Sequence, residues 1–532
     1  MTSAVIIGSG PAAAGAALAL SRHSGPKITV LDIGLQLEAE RRTAVDILSR
    51  SDPAAWDDQS VKLVASQPVS SKVRGVPRKL TYGSDFPYRN VGQLDGVTAA
   101  ADVNEALISA AYGGYSNVWG SQIMPFTASV FGTWPVSMSE MEPHYRAILG
   151  QIPFAGEIDD LADLFPFLGR PAPLPPVSAR TTRVLAAYAR NRQALHGLGV
   201  SLGKARLAFN APQCVRCGLC MTGCPYSLIY SASQTFDALR RTGRVSYHDG
   251  LLAFKVIEDS EKATVFARSL PTGHVHRFEA DLVFVACGAL GTTRLVANSF
   301  GLHEIDLSMK ESQQFTVPML SLYPTKDPRT EDLFTLNQFN MIVALDEVGL
   351  DVSQLHFYTY NPAFVGALPR PFRARWAEPA TRQILRRLSV AFGYLPSWHS
   401  SSLLLKVGPV PRDDGLPDVQ VTPGDPPADG YRMLRTVLRR LLRSARLLDL
   451  YPVLPAVQLS GTAKSYHLGG SFPHAREPVS ALSSDRLGRV MNWQRIHLID
   501  ASVFPNVPAT TFTLTVMANA HRIASETLDR RQ

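Results

Sequence analysis

The sequence predicts an α/β fold organised on a parallel sheet of the nucleotide-binding kind, and three stretches carry that prediction. The first is Val5-Ile6-Ile7-Gly8-Ser9-Gly10-Pro11-Ala12-Ala13-Ala14-Gly15, followed by an alanine-rich run and Ile28-Thr29-Val30-Leu31-Asp32. It reads as a buried strand, a tight glycine turn, an amphipathic helix and a second strand that ends in an acid. The second is the apolar run 282–287, which feeds Gly288-Ala289-Leu290-Gly291 as another strand-to-helix crossover. The third is the set of short alternating strands in residues 245–287 that leads into it.

In the opening unit Gly8 permits the turn and Gly10 lets the backbone, with Pro11 and Ala12, approach a pyrophosphate at the positive end of the helix. Ala13 stands where the third glycine of the pattern would be, a position that requires only close helix packing. Asp32 is placed to accept hydrogen bonds from a ribose. These features describe a dinucleotide site of Rossmann type, against the alternative of an ordinary βαβ unit, and they do not separate FAD from NAD.

A chain of 532 residues exceeds one ordinary core, so two domains or one large domain with insertions is expected. The hydrophobic content of 45% and charged content of 18% are those of a soluble globular protein. The net charge of +8 comes mostly from scattered arginines, a modest bias toward anionic partners or simply a solvated basic surface, and no nucleic-acid partner is indicated. No apolar run is long enough to span a bilayer, and the first strand starts almost at Met1 without room for a signal peptide. A cytoplasmic location follows as the expectation. Cysteine usage points the same way, because four of the five cysteines fall between 214 and 224, a distribution suited to a metal or cluster in a reducing compartment.

Along the chain, a polar helix is expected over residues 36–50, then a long irregular segment to about 100 in which 76–87 looks packed. A glycine-rich loop, Gly113-Gly114-Tyr115-Ser116-Asn117-Val118-Trp119-Gly120, follows a small-residue helix; its amides can turn toward a flat or anionic ligand, with Trp119 as an aromatic wall. A helix is expected over 137–151 and a proline-rich linker over 171–177. Residues 310–455 give apolar strands and arginine-rich helices. The helix 431–450 carries Leu434, Val437, Leu438, Leu441 and Leu442 on one face, for docking on a sheet or, alternatively, lying on a membrane surface.

The sharpest chemical signal is Cys214-Val215-Arg216-Cys217-Gly218-Leu219-Cys220-Met221-Thr222-Gly223-Cys224-Pro225. This is the C-x2-C-x2-C-x3-C-P spacing of bacterial ferredoxins, and it marks Cys214, Cys217, Cys220 and Cys224 as ligands of an iron-sulfur cluster. Zinc would split its ligands into two separated pairs. With no second run present, either Cys224 closes the same cluster as a 4Fe-4S form or a 3Fe-4S form leaves one cysteine spare, with Cys287 a distant further candidate.

The C-terminal part holds Tyr466-His467-Leu468-Gly469-Gly470, Ile496-His497-Leu498-Ile499-Asp500-Ala501-Ser502 and Thr511-Phe512-Thr513-Leu514-Thr515-Val516-Met517-Ala518-Asn519-Ala520. With these blocks in place the chain resembles, nearly end to end, the glucose-methanol-choline (GMC) oxidoreductases, FAD enzymes that take a hydride from an alcohol carbon. Within them it looks most like the bacterial sugar and polyol dehydrogenase subunits that carry an iron-sulfur cluster. The resemblance implies a discontinuous FAD-binding domain over residues 1–38, 95–130, 231–305 and 460–532. It implies an α+β substrate domain over 131–204 and 306–459, and a cluster loop over 205–230. FAD would meet Gly113, Gly114, Ser116, Asn117, Trp119 and Gly120, then Ala286 and Gly288, and finally Asp500, Ala501 and Thr513. His467 matches the catalytic histidine that accepts the hydroxyl proton. The family's second active-site residue, His or Asn, falls on Thr511, which cannot act as a base, and His474 is a candidate substitute.

The function so implied is an FAD-dependent dehydrogenase of an alcohol or sugar hydroxyl, passing electrons through the cluster to an acceptor other than oxygen. That acceptor would be a protein or a quinone-linked cytochrome, with peripheral membrane contact open. The alternatives are a biosynthetic reductase of a carbonyl or alkene, and a redox-inert flavoprotein scaffold.

Overall fold

The apolar run Ala4 to Ile7 lies at the centre of a five-stranded sheet, fully buried as a strand covered on both faces must be. The structure is a computed structural model that describes residues 2–22, 26–66, 78–89, 96–361, 370–408, 415–425, 427, 429–477, 480 and 482–530. Met1, residues 76 and 77 of the tract expected to pack, and the boundary positions 95 and 532 lie outside that set.

The five strands run in the order Ile496–Leu498, Leu282–Val285, Ser3–Ile7, Lys27–Leu31 and Val245–His248, and every pairing is parallel. Both expected crossovers are present, from Ser3–Ile7 into the helix Pro11–Ser21 and from Leu282–Val285 into the helix Ala289–Phe300. The first helix packs along the C-terminal helix Thr513–Asp529, and the contact is made at Gly15. A Cβ there would lie 2.2 Å from the Met517 carbonyl oxygen. Glycine is therefore required for helix packing at position 15, two residues beyond fully buried Ala13, where the sequence pattern had placed the requirement.

The second large sheet is antiparallel, in the order Tyr451–Pro452, Gln314–Leu320, Leu388–Tyr394, Val352–Tyr358, Phe339–Ala344 and Val200–Lys204, with Gln458–Leu459 added beside Gln314–Leu320. Strand periodicity divides its residues. Phe315, Val317, Leu355, Phe357 and Ala391 join a core with the helices Ala179–Gly197 and Gly430–Leu448. Tyr358, Val390, Phe392 and Tyr394 form a separate apolar group on the other face. A five-stranded sheet built on Asp306–Glu311 and a three-stranded meander over residues 251–280 complete the strands.

The helix Gly430–Leu448 buries Val437, Leu441, Ala445 and Leu448 against this second sheet and its partner helix, so docking on a sheet is the arrangement found. Leu442 does not share that face; it is 47% exposed. No helix among the described residues is long and apolar enough to cross a membrane.

Two further expectations are corrected. The segment before Gly113 is not helical, because its backbone is taken by a tertiary bridge in which Leu35 N–H donates to Ala110 O and Tyr112 N–H to Leu35 O. Buried Asn104 also donates to the Ala463 carbonyl, which fixes the turn. The proline-rich stretch is no free linker either, since Ala172 pairs with residues 154–156 through two backbone hydrogen bonds.

Candidate functional site

A cavity of about 410 Å³ opens at the carboxyl ends of the parallel strands, where ligands of open α/β sheets bind. One wall is made mostly of backbone. Gly8 turns the chain at a φ of +103°, and a Cβ there would lie 2.5 Å from the Ala286 carbonyl oxygen. Gly10 differs: its backbone is ordinary (φ −71°, ψ −177°), and a Cβ would meet nothing within 4 Å. Gly288 likewise faces open space. Such empty cradles at the N-termini of the helices Pro11–Ser21 and Ala289–Phe300 suit an anionic ligand that approaches the backbone.

Asp32 closes this wall. Its carboxylate accepts hydrogen bonds from the Ser9 and Tyr247 hydroxyls, and burial outweighs both, pushing its pKa up to about 6. The same Ser9 oxygen accepts from the Gly113 amide at 2.9 Å, which ties the glycine turn to the glycine-rich loop. Gly114, Ser116, Trp119 and Gly120 of that loop line the cavity, as do Pro11, Ala12, Ala286, Asp500, Ala501 and Thr513. Three of the residues expected at the dinucleotide do not. Ala13 is packed inside the helix layer, Gly113 sits against Ser231 and Ser233, and the Asn117 amide donates to the Tyr112 and Gly114 carbonyls, shaping the loop from behind.

His467 and Thr511 come together on the cavity wall. The imidazole of His467 is held by rings, stacked on Tyr394 at 4.8 Å between centroids and edge-on to Phe512 at 5.0 Å. Its Nδ1 is buried with no hydrogen-bond partner. Burial alone lowers its pKa to about 4, so the ring is neutral and able to accept a proton at neutral pH. The Thr511 hydroxyl donates to the Gln122 carbonyl at 3.2 Å. His474 is not a substitute, because it lies away from the cavity with Nδ1 against the Asp485 carbonyl at 2.6 Å and Nε2 against Asn519 Nδ2 at 3.2 Å.

The opposite wall was not foreseen. It comes from the antiparallel sheet, whose Gln314, His356, Tyr358 and Tyr394 reach the cavity. A signal was present in the strand Val-Ser-Gln-Leu-His-Phe-Tyr, where polar Gln354, His356 and Tyr358 recur with period two in a fully buried element.

The cysteine loop abuts this wall. Its winding uses positive φ at Arg216, Gly218 and Gly223. The four thiols lie close enough to influence one another, and backbone amides reach their sulfurs: Arg216 to Cys214 at 3.4 Å, Leu219 to Cys217, Thr335 to Cys220 at 3.3 Å, and Tyr226 and Leu228 to Cys224. As free thiols, Cys217 and Cys224 are pushed up to about 12 and about 11 by burial. Among the described residues no three His, Cys, Asp or Glu side chains converge as a site for a single metal ion. Cys287 lines the cavity, its thiol facing the Ile7 carbonyl, and feels the charges of Asp500 and Asp32. Met221 packs against the apolar group that contains Tyr358 and Tyr394, and Lys79, a cavity residue donating to the Trp119 carbonyl at 2.8 Å, lies within the electrostatic reach of Cys220 and Cys224. Loop and cavity thus share one partition.

The whole chain can be laid on two solved enzymes. One is pyridoxine 4-oxidase from Mesorbium loti, at 13% identity and a TM-score of 0.59, covering 99% of both chains. The other is the formate oxidase of Aspergillus oryzae RIB40, in a structure concerned with FAD modification, at 12% identity and a TM-score of 0.61, covering 99% of this chain and 98% of that one. The chain has the fold of these oxidases. At the level of fold this bears out the resemblance to the GMC oxidoreductases. No family model and no curated protein matches the sequence.

Proposed function

We propose that this chain is an FAD-dependent GMC-type oxidoreductase that converts an alcohol or sugar CH–OH group to a carbonyl. The observation that carries the reading is a single cavity onto which the glycine turn, Asp32, Asp500, the Thr513 helix start and His467 all converge. The glycines whose missing side chains leave open space fit a bound dinucleotide, held at Gly10 and Gly288 and oriented by Asp32 and the loop 114–120. Bound there, FAD would supply the acceptor for hydride. His467 accepts the hydroxyl proton as the C–H bond breaks, and the buried ring of Tyr394 and the partly buried ring of Phe512 hold its imidazole in place.

The four cysteines are the proposed ligands of an iron-sulfur cluster, of 4Fe-4S type in preference to 3Fe-4S. The amide hydrogens directed at their sulfurs support the donor set, because such bonds stabilise thiolate charge. A cluster at that position, within electrostatic reach of the cavity residue Lys79, would give electrons a one-at-a-time exit to an acceptor protein or a quinone-linked cytochrome. A second reading is favoured by the two structural neighbours, which are oxidases. In it, oxygen takes the electrons directly.

Anaerobically prepared protein should contain flavin and iron, and Cys220→Ser should lose the iron while keeping the flavin. Turnover with an artificial one-electron acceptor should greatly exceed peroxide release. Equal rates of peroxide release and acceptor reduction would favour the oxidase, and absence of iron in the wild type would remove the cluster.

A further inference from the structure

The position that the family resemblance gives to a second active-site side chain holds Thr511, whose hydroxyl is engaged with the Gln122 carbonyl. The cavity nevertheless contains a second imidazole. His356, on the strand Val352–Tyr358, is 2% exposed, lines the same cavity as His467, and leaves its Nε2 buried without a hydrogen-bond partner. Other buried histidines each have at least one ring nitrogen bonded: His474 to Asp485 and Asn519, His497 through Nδ1 to the Leu487 carbonyl, His399 to Asp351 and Asp429, His521 through Nδ1 to His144. A buried polar nitrogen left unpaired is costly unless something not built from this chain completes it.

His356 and His467 are also held by the same ring. Tyr394 lies 5.1 Å from the His356 ring at a tilt of 50°, and 4.8 Å from the His467 ring at 22°. Strand register explains the juxtaposition: His356 pairs with Phe392 and Gln354 with Tyr394, so His356 and Tyr394 are diagonal neighbours on one face. Gln314, paired with Tyr394 from the other side, donates to the Tyr394 hydroxyl at 3.1 Å and fixes that ring. The two imidazoles are near enough that a proton on His467 disfavours one on His356, and burial keeps His356 neutral.

We propose that His356 is the second active-site imidazole, its Nε2–H donating to the substrate oxygen opposite His467. The proposal rests on the reading of the site as one for alcohol oxidation. The hydroxyl proton goes to His467, the C–H electron pair leaves with its hydrogen to the bound FAD, and the C–O bond becomes C=O. His356 gains and loses no proton; its hydrogen bond shortens as negative charge builds on the oxygen, which is where a fixed donor accelerates reaction. A neutral pair, one accepting and one donating, is what two depressed imidazoles provide and what Thr511 does not.

The test uses the FAD-loaded protein and its His356→Ala, His356→Asn and His356→Phe variants. Flavin reduction is followed with benzyl alcohol, glycerol and sorbitol, and acetate serves as a non-reducing oxygen ligand read from the flavin absorbance. With the alcohol that reduces the wild type fastest, His356→Ala should slow limiting flavin reduction roughly 100- to 1000-fold at unchanged FAD content, the usual cost of one such donor. His356→Asn, which keeps an N–H, should recover at least a tenth of the wild-type rate, whereas His356→Phe, which keeps the buried volume and stands in if the alanine variant fails to fold, should not. Acetate should bind more weakly to the Ala and Phe variants than to the wild type and Asn variant. Wild-type rates in His356→Ala, or equal rates in the Phe and Asn variants, would overturn the proposal. If none of the alcohols reduces the wild-type flavin, the proposed function falls, and His356 is then judged on acetate alone: unchanged affinity in the variants, or no acetate effect on the wild type, removes it as an oxygen donor.

Discussion

The two walls of the cavity are built by different means. On the parallel-sheet side the surface is backbone: Gly8 bent at positive φ, Gly10 and Gly288 leaving room, and helix N-termini facing inward. On the antiparallel side it is side chains, with Gln314, His356, Tyr358 and Tyr394 standing on three paired strands. A wall of backbone needs particular residues at fixed local spacing, so it leaves a motif. A wall of side chains needs only that strands far apart in sequence align, and any residue type can occupy it.

The largest expected effect falls where the walls meet. His467→Ala should lower flavin reduction roughly 100- to 10,000-fold, the usual worth of a positioned base, with FAD content near normal. A rate within tenfold of the wild type would separate the histidine from the chemistry. The pH profile sharpens the same point. With its pKa lowered to about 4, His467 is neutral above that value, so the acid limb of flavin reduction should fall near pH 4 and not near the ordinary 6.5. A limb at 6.5 would place the base elsewhere or show an imidazole far less desolvated.

On the backbone side, Gly15→Val should destabilise the protein by about 3 kcal/mol or more, because the obstructing atom is the Met517 carbonyl and cannot rotate away. Thermal unfolding measures it, and an unchanged Tm would mean the helix pair can spread freely. At the end of the strand Asp306–Glu311, fully buried Glu311 accepts from the Ala463 amide at 2.8 Å and has its pKa raised to about 8 by burial. Unfolded, it ionises near 4.5, so its contribution is fully present below that pH and is lost as pH rises toward 8. Chemical denaturation of Glu311→Gln should therefore show a smaller loss of stability than the wild type between pH 5 and 8; parallel curves would contradict the assignment. The smallest effect is expected from Thr511→Ala, about tenfold or less on flavin reduction, since one hydrogen bond to a backbone carbonyl is removed.

What the sequence revealed follows the same division. The glycine turn, both crossovers, Asp32, the Asp500 segment and His467 were legible because each sits in a short, chemically constrained run. Ala13 was given a role that Gly15 holds, since the approach of the last helix to the first is a tertiary fact. The helix expected before Gly113 gave way to pairing with Leu35, 75 residues earlier than Ala110. His474 looked available and is fully bonded, while His356 drew no notice although polar residues recur at period two along its buried strand. Nothing local in residues 314, 356 and 394 announces that they share a surface.

If the backbone wall is a flavin cradle, a side chain added at Gly10 should block the cofactor and leave the fold intact, as Gly10→Leu would show. The φ and ψ of Gly10 suit any residue and its Cβ direction is empty, so the variant should fold with a near wild-type Tm. Its side chain would occupy only the space assigned to the dinucleotide. The expected result of reconstitution is a folded protein that retains no FAD through gel filtration, beside a wild type that retains about one per chain. A variant that folds and still binds FAD at full stoichiometry would contradict the account.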